Sequence, residues 1–391
     1  MDKRLLVLAA GMFAIGTDGF VMAGVLPQIA HFYNVGIGAA GQMTTAYALS
    51  FALLAPTVAA IAGNVPRRTL MLLGMTVFVI ANLATAAAPT FGFAILMRVV
   101  TGLGAAMFAP TASGSGAMLV APERRGFALS IIIGGLTTAT ALGSPMGSVI
   151  GGLGDWRWTM VFVSGLGVLA FVGVLFLLSN LPMLPVVSLA KRLAPLADAR
   201  IFLTLLTTML AMAGNFTVYT YFSVVFDRAI GGNSLVFGAL LVIWGAFGTV
   251  GNLTTGRIVD RLGVRKVLLT VMLLEVVNMV LFAWSGATLW TAALAIAIWG
   301  LFSWSIQAPQ QTRLVSLAPT AAPVVLGLNN SGTYLGVTSA GIIGAAGVQT
   351  VGAHNLGVIG TMLIVLAVVV CELATWRITA VNRAKAAVAT V

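Results

Sequence analysis

Apolar residues run along this chain in long stretches, interrupted by short clusters of charged residues, Pro, Gly and Asn. Each stretch approaches the ~20 residues that a helix needs to cross the hydrocarbon core of a bilayer. The pattern predicts twelve helices, over 5–30, 38–61, 69–88, 91–117, 126–152, 158–180, 201–225, 234–256, 266–285, 288–312, 322–348 and 356–377. The uncharged run from Gly19 to Pro66 is too long for one span, and Pro27, Gln28, His31 and Asn34 divide it. The expected fold class is an all-α membrane protein of twelve transmembrane helices.

Charge orients the helices. With both termini cytoplasmic, the inner segments collect 17 of the 20 Lys and Arg residues: Lys3, Arg4, Arg67, Arg68, Arg124, Arg125, Lys191, Arg192, Arg200, Arg257, Arg261, Arg265, Lys266, Arg313, Arg377, Arg383 and Lys385. The outer loops hold Arg157 and Arg228, and Arg98 falls inside the fourth helix. This asymmetry is the one the positive-inside rule predicts. The longest inner connection, Leu181 to Arg200, carries three prolines and three basic residues and separates six helices from six. The expected division is a six-helix bundle over 1–180, a linker over 181–200 and a second bundle over 201–391. Pro66-Arg67-Arg68 after the second helix echoes Val264-Arg265-Lys266 after the eighth, and the glycine-rich fifth helix resembles the eleventh. Parallel repeats of this kind hold substrate near the midplane between halves.

Composition narrows the class. Hydrophobic residues are 60% of the 391 positions and charged ones 7%, too few charges for a water-soluble surface. The net charge of +11 is scattered in short clusters, which act as topology signals and exclude a nucleic-acid partner. The single Cys371 excludes a disulfide framework or a thiolate metal site. The first apolar run lacks a small-residue cleavage site and is expected to be retained. No nucleotide-binding loop, paired metal-binding His or nucleophile elbow is present, and His31 and His354 fall in separate outer loops. The chain is expected to be neither an enzyme nor an ATP-driven pump, without cofactor or metal, its work supplied by an ion gradient.

Asp18 lies near the middle of the first span, with no other charge between Arg4 and Arg67. A carboxylate at that depth is costly, and such groups usually face a bundle interior and mark a substrate, ion or proton route. An acid that is neutral when protonated and anionic when empty can make proton and substrate occupancy mutually exclusive. A purely structural role, hydrogen-bonded to the fourth helix or to Arg98, remains the alternative. Glu275 in the ninth helix is open to either packing with Asn278 or a proton role, and Glu372, near Arg377, is expected to be structural.

Several motifs resemble one family. Gly256-Arg-Ile-Val-Asp260-Arg261-Leu-Gly263-Val-Arg265-Lys266 resembles the G-x-x-x-D-R-x-G-R-K loop of the major facilitator superfamily. Gly256 is expected to allow close helix contact and Asp260 to cap or bridge neighbouring helix ends, with the basic cluster holding the loop at the inner surface. The first-half copy departs from it, with Ala62 and Gly63 in place of the Asp-Arg pair, as in sugar- and drug-efflux permeases that keep the paired arginines. Gly143-Ser-Pro145-Met-Gly147-Ser-Val-Ile-Gly151-Gly152, followed by Gly154-Asp155-Trp156-Arg157-Trp158, resembles the antiporter motif of drug:proton exchangers. Glycines four apart make a flat face for close helix approach, and Pro145 permits a bend. Arg98 in Arg98-Val-Val-Thr-Gly102-Leu-Gly104 is similar to an R-x-x-x-G motif linked to proton movement, although its long side chain also has the reach to snorkel to the outer interface. Gly16-Thr17-Asp18-Gly19-Phe20, then Gly24-Val-Leu26-Pro27, resembles the first helix of arabinose- and chloramphenicol-efflux permeases, whose acid, a Glu, falls one position later, where Gly19 stands.

The resemblance to the drug:proton antiporter branch implies export of a small amphipathic molecule, such as chloramphenicol, against protons, from a bacterial cytoplasmic membrane, by a monomer embedded in lipid. A sugar or nucleoside exporter of the same fold is the alternative, and an importer or facilitator is disfavoured by the glycine motif. Asp18 and Arg98 are the expected proton-coupling residues. Met22, one turn beyond Asp18, with Tyr47, Asn215, Tyr219, Phe222, Trp244 and Tyr334 are the expected pocket. Asn215, Tyr219 and Phe222 share a face by i, i+4, i+7 spacing. Gly143, Pro145 and Gly147 with Gly256, Asp260, Arg261, Gly263 and Arg265 are the expected gating elements. Gln307, Gln310, Asn329 and Asn330 lie nearer the inside.

Overall fold

The computed structural model describes residues 3–121, 124–179, 181 and 188–389. Among the described residues the chain is helices and turns without strands. The first half contains α1 (Lys3–Tyr33), α2 (Ile37–Ile61), α3 (Arg67–Ala86), α4 (Phe91–Met118), α5 (Arg125–Thr138), α6 (Ser144–Leu153) and α7 (Trp156–Leu177). A π-helical turn, Ala139–Gly143, joins α5 to α6 in one continuous helix. A short helix, α8 (Leu189–Leu193), precedes α9 (Ala199–Tyr219), α10 (Phe222–Val225), α11 (Asp227–Ile230), α12 (Ser234–Leu262), α13 (Val264–Val280), α14 (Phe282–Ser285), α15 (Leu289–Ser305), α16 (Gln307–Leu317), α17 (Ala322–Thr350) and α18 (Leu356–Ala389). Residues 182–187 of the predicted linker lie outside the described residues.

Each predicted run is helical over most of its described residues, with ends shifted by a few residues and the seventh broken after Tyr219. Ten helices among the described residues are long and apolar enough to cross a membrane. The runs outside that set are α13, which has 17 residues, and α17, which is diluted by Asn329, Asn330, Thr333 and Gln349. The eighth predicted helix continues through the basic motif to Leu262, because nothing there breaks it before Gly263. Gly263 takes φ of +80°, a backbone conformation that a Cβ opposes.

Local chemistry sets the helix starts. Thr90, Asp155, Asp198 and Asn233 each accept a hydrogen bond from a first-turn N–H of α4, α7, α9 and α12. Those donors have no partner within the helix, so a side-chain cap satisfies them. The Arg200 side chain, hydrogen-bonded to Asp198, holds that carboxyl below its ordinary range, so this cap persists at neutral pH and weakens as acid protonates it. Exposed Leu53, Leu169, Phe176, Leu294 and Met362 form an apolar outer surface. Exposed Trp158, Trp284, Trp290 and Trp376 sit toward helix ends, the positions favoured at membrane interfaces.

One end of the bundle carries Lys3, Arg67, Arg68, Arg200, Arg265 and Lys266; we call it the basic end, and the opposite one the far end. Pro145 has no N–H to offer the carbonyl four residues back, and the π turn absorbs that mismatch beside Gly16 and Thr17 of α1. The glycine face is filled as expected. A Cβ at Gly143, Gly147 or Gly151 would overlap Thr17, Val21 or Val25 of α1. The opposite face of the same helix lies on α12, with Ala141 against Gly245, Val149 against Gly238 and Gly152 against Ser234.

A second contact joins the first six helices to the last six. Here Gly38 of α2 rests on Ala345 of α17, and Gly341 of α17 rests on Thr45 of α2. Both contacts occupy the far half of the molecule. At the basic end, Phe127, Val250, Leu253 and Ile258 on the continuing parts of α5 and α12 are exposed. The linker helix α8 touches α2 there, Arg192 donating to the Ala59 carbonyl at 3.3 Å.

A Cβ on Gly245 would stand 2.5 Å from Ala141 Cα, where backbone meets backbone. Gly245→Val is therefore expected to part α12 from α6 and to expose a Ser148→Cys probe, a position only 2% exposed, to maleimide. Equal labelling with and without Gly245→Val would show this contact to be dispensable.

Candidate functional site

Asp18 projects from the middle of α1 into the first six helices and is fully buried, as is Arg98 of α4. Arg98 Nη1 donates to Asp18 Oδ1 at 2.7 Å. Arg98 Nε reaches the Met43 carbonyl at 3.4 Å and Nη1 reaches Asn82 Oδ1 at 3.5 Å, while the guanidinium lies 4.8 Å from the centre of the Tyr47 ring. Asn82 is held in turn by donating to the Phe78 carbonyl at 3.1 Å.

The glycines after Arg98 explain why it points inward. A Cβ at Gly102 would stand 2.7 Å from the Tyr47 carbonyl, and one at Gly104 would stand 2.7 Å from Phe78 N. Bare backbone at both lets α2 and α3 close on α4 and seal the arginine inside. The snorkelling alternative is thereby overturned. The network is incomplete: Asp18 Oδ2, Arg98 Nη2 and Tyr47 OH have no hydrogen-bond partner among the described residues. Buried polar groups without partners are costly.

Tyr47 connects this network to the other half. Its ring is 6.4 Å from that of Tyr334 on α17, which packs 4.1 Å from Phe51. Beyond them stands an aromatic wall. Tyr219 lies 4.5 Å from Trp244, and Trp299 is 5.5 Å from Trp244 and 6.0 Å from Phe222. Asn215 Oδ1 accepts from Trp299 Nε1 at 2.6 Å. Helix α9 ends at Tyr219, and Phe222 begins α10 after a break, so the three residues expected on one face do not share one helix. They stay together nonetheless, with Tyr219 and Phe222 rings 6.3 Å apart.

Tyr219 ties the halves together. Its hydroxyl donates to the Phe20 carbonyl of α1 at 3.1 Å and lies 3.3 Å from Ser144 Oγ of α6. Phe20 itself packs on Phe216, Tyr219, Trp244 and Trp304. Phe20, Asn82, Trp299 and Trp304 are the members that sequence reasoning missed. Phe20 follows the Asp18 motif and was the most accessible signal; the others declare themselves only through packing. Met22 is fully buried one turn beyond Asp18.

Toward the basic end, Asn329 accepts from Thr208 at 2.9 Å and approaches Gln307 at 3.5 Å, while Gln310 donates to the Thr204 carbonyl at 3.4 Å. The loop motif behaves differently from expectation. A Cβ at Gly256 would meet open space, so the close helix contact expected there is not made. Asp260 and Arg261 are exposed with no ion pair or hydrogen bond among the described residues, so Asp260 neither caps nor bridges. Arg265 does pair, its Nε donating to Glu372 Oε1 at 3.0 Å. Glu372 thus joins α18 to α13 instead of pairing with Arg377. No group of three metal-ligating side chains exists among the described residues.

Comparison with known proteins places this geometry. The pattern of the Major Facilitator Superfamily matches residues 8–340 and 204–389. The Inner membrane transport protein YdhP of Escherichia coli O157:H7 is 31% identical, covering 89% of this chain and 90% of its own. A Chloramphenicol resistance protein of Streptomyces lividans is 33% identical over 67% of this chain and 68% of its own. Among solved structures, a bacterial homolog to the human lysosomal transporter Spinster, inward-facing and occupied, superposes with a TM-score of 0.76, at 15% identity over 95% of this chain and 96% of that one.

Removing one member of a buried ion pair costs about 3–5 kcal/mol, because the remaining charge is stranded. Arg98→Met is therefore expected to lower unfolding stability in detergent by ~3–5 kcal/mol, and adding Asp18→Asn to restore most of the loss. If the double variant is no more stable than Arg98→Met, the two groups are not coupled as described.

Proposed function

The chain belongs to the Major Facilitator Superfamily of membrane transporters, and we propose that it exports a small amphipathic molecule in exchange for protons. The observation that carries this reading is the wholly buried Asp18–Arg98 pair, half satisfied, beside Tyr47 at the junction of the halves. The chloramphenicol resistance relative supports chloramphenicol as the first substrate to try. The bacterial relative named as an inner membrane protein supports the same membrane here.

In this reading the chain crosses the membrane twelve times, with both termini and the basic end in the cytoplasm. Residues 1–180 and 201–391 move as two bodies joined by 181–200. The α2–α17 and α6–α12 contacts hold the far, outer end closed. Protons act at Asp18. While ionised, its carboxylate holds Arg98 against the Met43 carbonyl, Asn82 and the face of Tyr47. A proton on Asp18 cancels that attraction. The released guanidinium then re-aims, moving Tyr47 against Tyr334 and so the contact between halves. Substrate bound against the aromatic wall and a proton on Asp18 favour opposite arrangements of the same arginine, which couples their movements.

Apolar walls with few polar groups, among them Asn215 and the Tyr219 hydroxyl, suit an uncharged or weakly charged amphipathic ligand. Gly143, Pro145 and Gly147 let α6 slide between α1 and α12. Arg265, at the exposed motif with Asp260 and Arg261, is the gating group already latched, through Glu372.

Everted membrane vesicles with an acidified lumen provide the test. Chloramphenicol is expected to drive proton efflux from the lumen, and Asp18→Asn to cut pH-driven chloramphenicol flux at least ~10-fold, equivalent to ~1.4 kcal/mol. Flux independent of the proton gradient, or an Asp18→Asn protein with full gradient-driven flux, overturns the assignment.

A further inference from the structure

The mechanism above uses one acid, but a second carboxyl is buried at comparable depth in the other half. Glu275 of α13 is fully buried, and neither of its oxygens has a hydrogen-bond partner among the described residues. The Asn215 side chain of α9 lies beside it without the alignment of a hydrogen bond. Asn215 in turn accepts from Trp299 of α15 at 2.6 Å, and Asn278, one turn along from Glu275, donates instead to the Ala295 carbonyl at 3.0 Å.

Among the described residues no cation attends this carboxyl. Of the helices packed on α13, α14 and α15 carry no charged side chain. On α16, Arg313 donates to Cys371 and Thr375 of α18. On α18, Glu372 is taken by Arg265, and Arg377 and Arg383 lie beyond it toward the basic end. On α12, Arg257, Asp260 and Arg261 are exposed at the basic end. Arg265 and Lys266, on α13 itself, are nine or ten residues away, about 15 Å along the helix. On α9, Arg200 is held by Asp198, and Tyr219, one turn from Asn215, contacts Phe20. An ionised carboxylate so enclosed would be an uncompensated charge costing many times what a neutral carboxyl costs.

The two halves also match. Asp18, Asn82 and Arg98 come from the first, third and fourth spans of the first half. Asn215, Glu275 and Trp299 come from α9, α13 and α15, the corresponding spans of the second. The acid has moved to a different member of the trio, and an indole stands where the first half has its guanidinium. We propose that Glu275, with Asn215 and Trp299, is a second proton-binding site, occupied in this conformation, and that the exchanger carries a proton there as well as at Asp18.

This inference rests on the exchange reading for its role in transport, but not for the existence of the site. Loading the site forms the carboxyl O–H bond from a solvent proton, and unloading returns that proton to water. Asn215 provides the connection to transport, because it lies one helical turn below the Tyr219–Phe20 contact that spans the halves. Parting the halves there would loosen the wall around Asn215 and Trp299, admit water to Glu275 and let the proton leave.

Infrared difference spectra of the purified protein, recorded from mildly acidic to strongly alkaline pH, read the site without any substrate. The carbonyl stretch of a protonated carboxyl is expected at neutral pH, retained in Asp18→Asn, lost in Glu275→Gln and lost from the wild type on alkalinisation. A conservative Glu275→Asp variant is expected to shift the band, which keeps the test open if the Gln variant does not fold. A spectrum unchanged by both substitutions, or a band that persists through alkaline pH, overturns the proposal. Full exchange by Asp18→Asn alongside a titrating Glu275 band would instead remove the role given to Asp18 and leave the second site standing.

Discussion

The structure depends on keeping one ion pair, Asp18–Arg98, out of contact with lipid. A carboxylate and a guanidinium in the hydrocarbon depth are tolerable only if they meet each other and are enclosed by protein. Enclosure requires α1, α2, α3 and α4 to approach more closely than ordinary side chains permit. Gly74 and Gly104 supply bare backbone between α3 and α4, and Gly102 does so between α2 and α4. Gly143, Gly147 and Gly151 bring the glycine-rich fifth span onto the far side of α1. The glycine content is thus less a matter of flexibility than of distance.

The same small residues shape the junction between halves. In lipid, helix association gains little from hydrophobic burial and relies on close packing and hydrogen bonds. Gly38, Gly341, Gly238 and Gly245 make close contacts of that kind, against Ala345, Thr45, Val149 and Ala141 of the other half. Surfaces of this sort can part and re-form without repacking a core. The polar fasteners across the junction include Tyr219 on the Phe20 carbonyl and beside Ser144, Tyr221 on the Gly38 carbonyl at 3.4 Å, and Gln42 on the Gly341 carbonyl at 3.1 Å.

The halves, so alike in plan, differ in electrostatics. The first spends its buried acid on an arginine, and the second buries Glu275 among an amide, an indole and apolar side chains. At the basic end the contrast reverses. The second half carries the fuller loop motif and the Arg265–Glu372 pair, whereas in the first Arg68 donates to the Leu175 carbonyl, with no acid in the motif to receive it. The Asp18–Arg98 pair is thus buried, whereas the Arg265–Glu372 pair is exposed at the basic end.

The apolar runs and the turn residues by themselves determined the helices and their order, because in lipid a long apolar run has few alternatives to a helix, and the motifs carried the resemblance to the family. Asp18, the glycine face and Arg98 were also legible, since a charge or a four-residue glycine spacing inside such a run needs a reason. What the sequence could not decide was which way a side chain turns and whom it meets. Tertiary packing turned Arg98 inward, broke α9 after Tyr219, opened the space at Gly256, freed Asp260 and gave Glu372 to Arg265. It also recruited Phe20, Asn82, Trp299 and Trp304, ordinary residues until helices distant in sequence brought them together. Helix formation is local, whereas contact between helices is set by the fit of whole faces, and that fit is written in no single stretch of the chain.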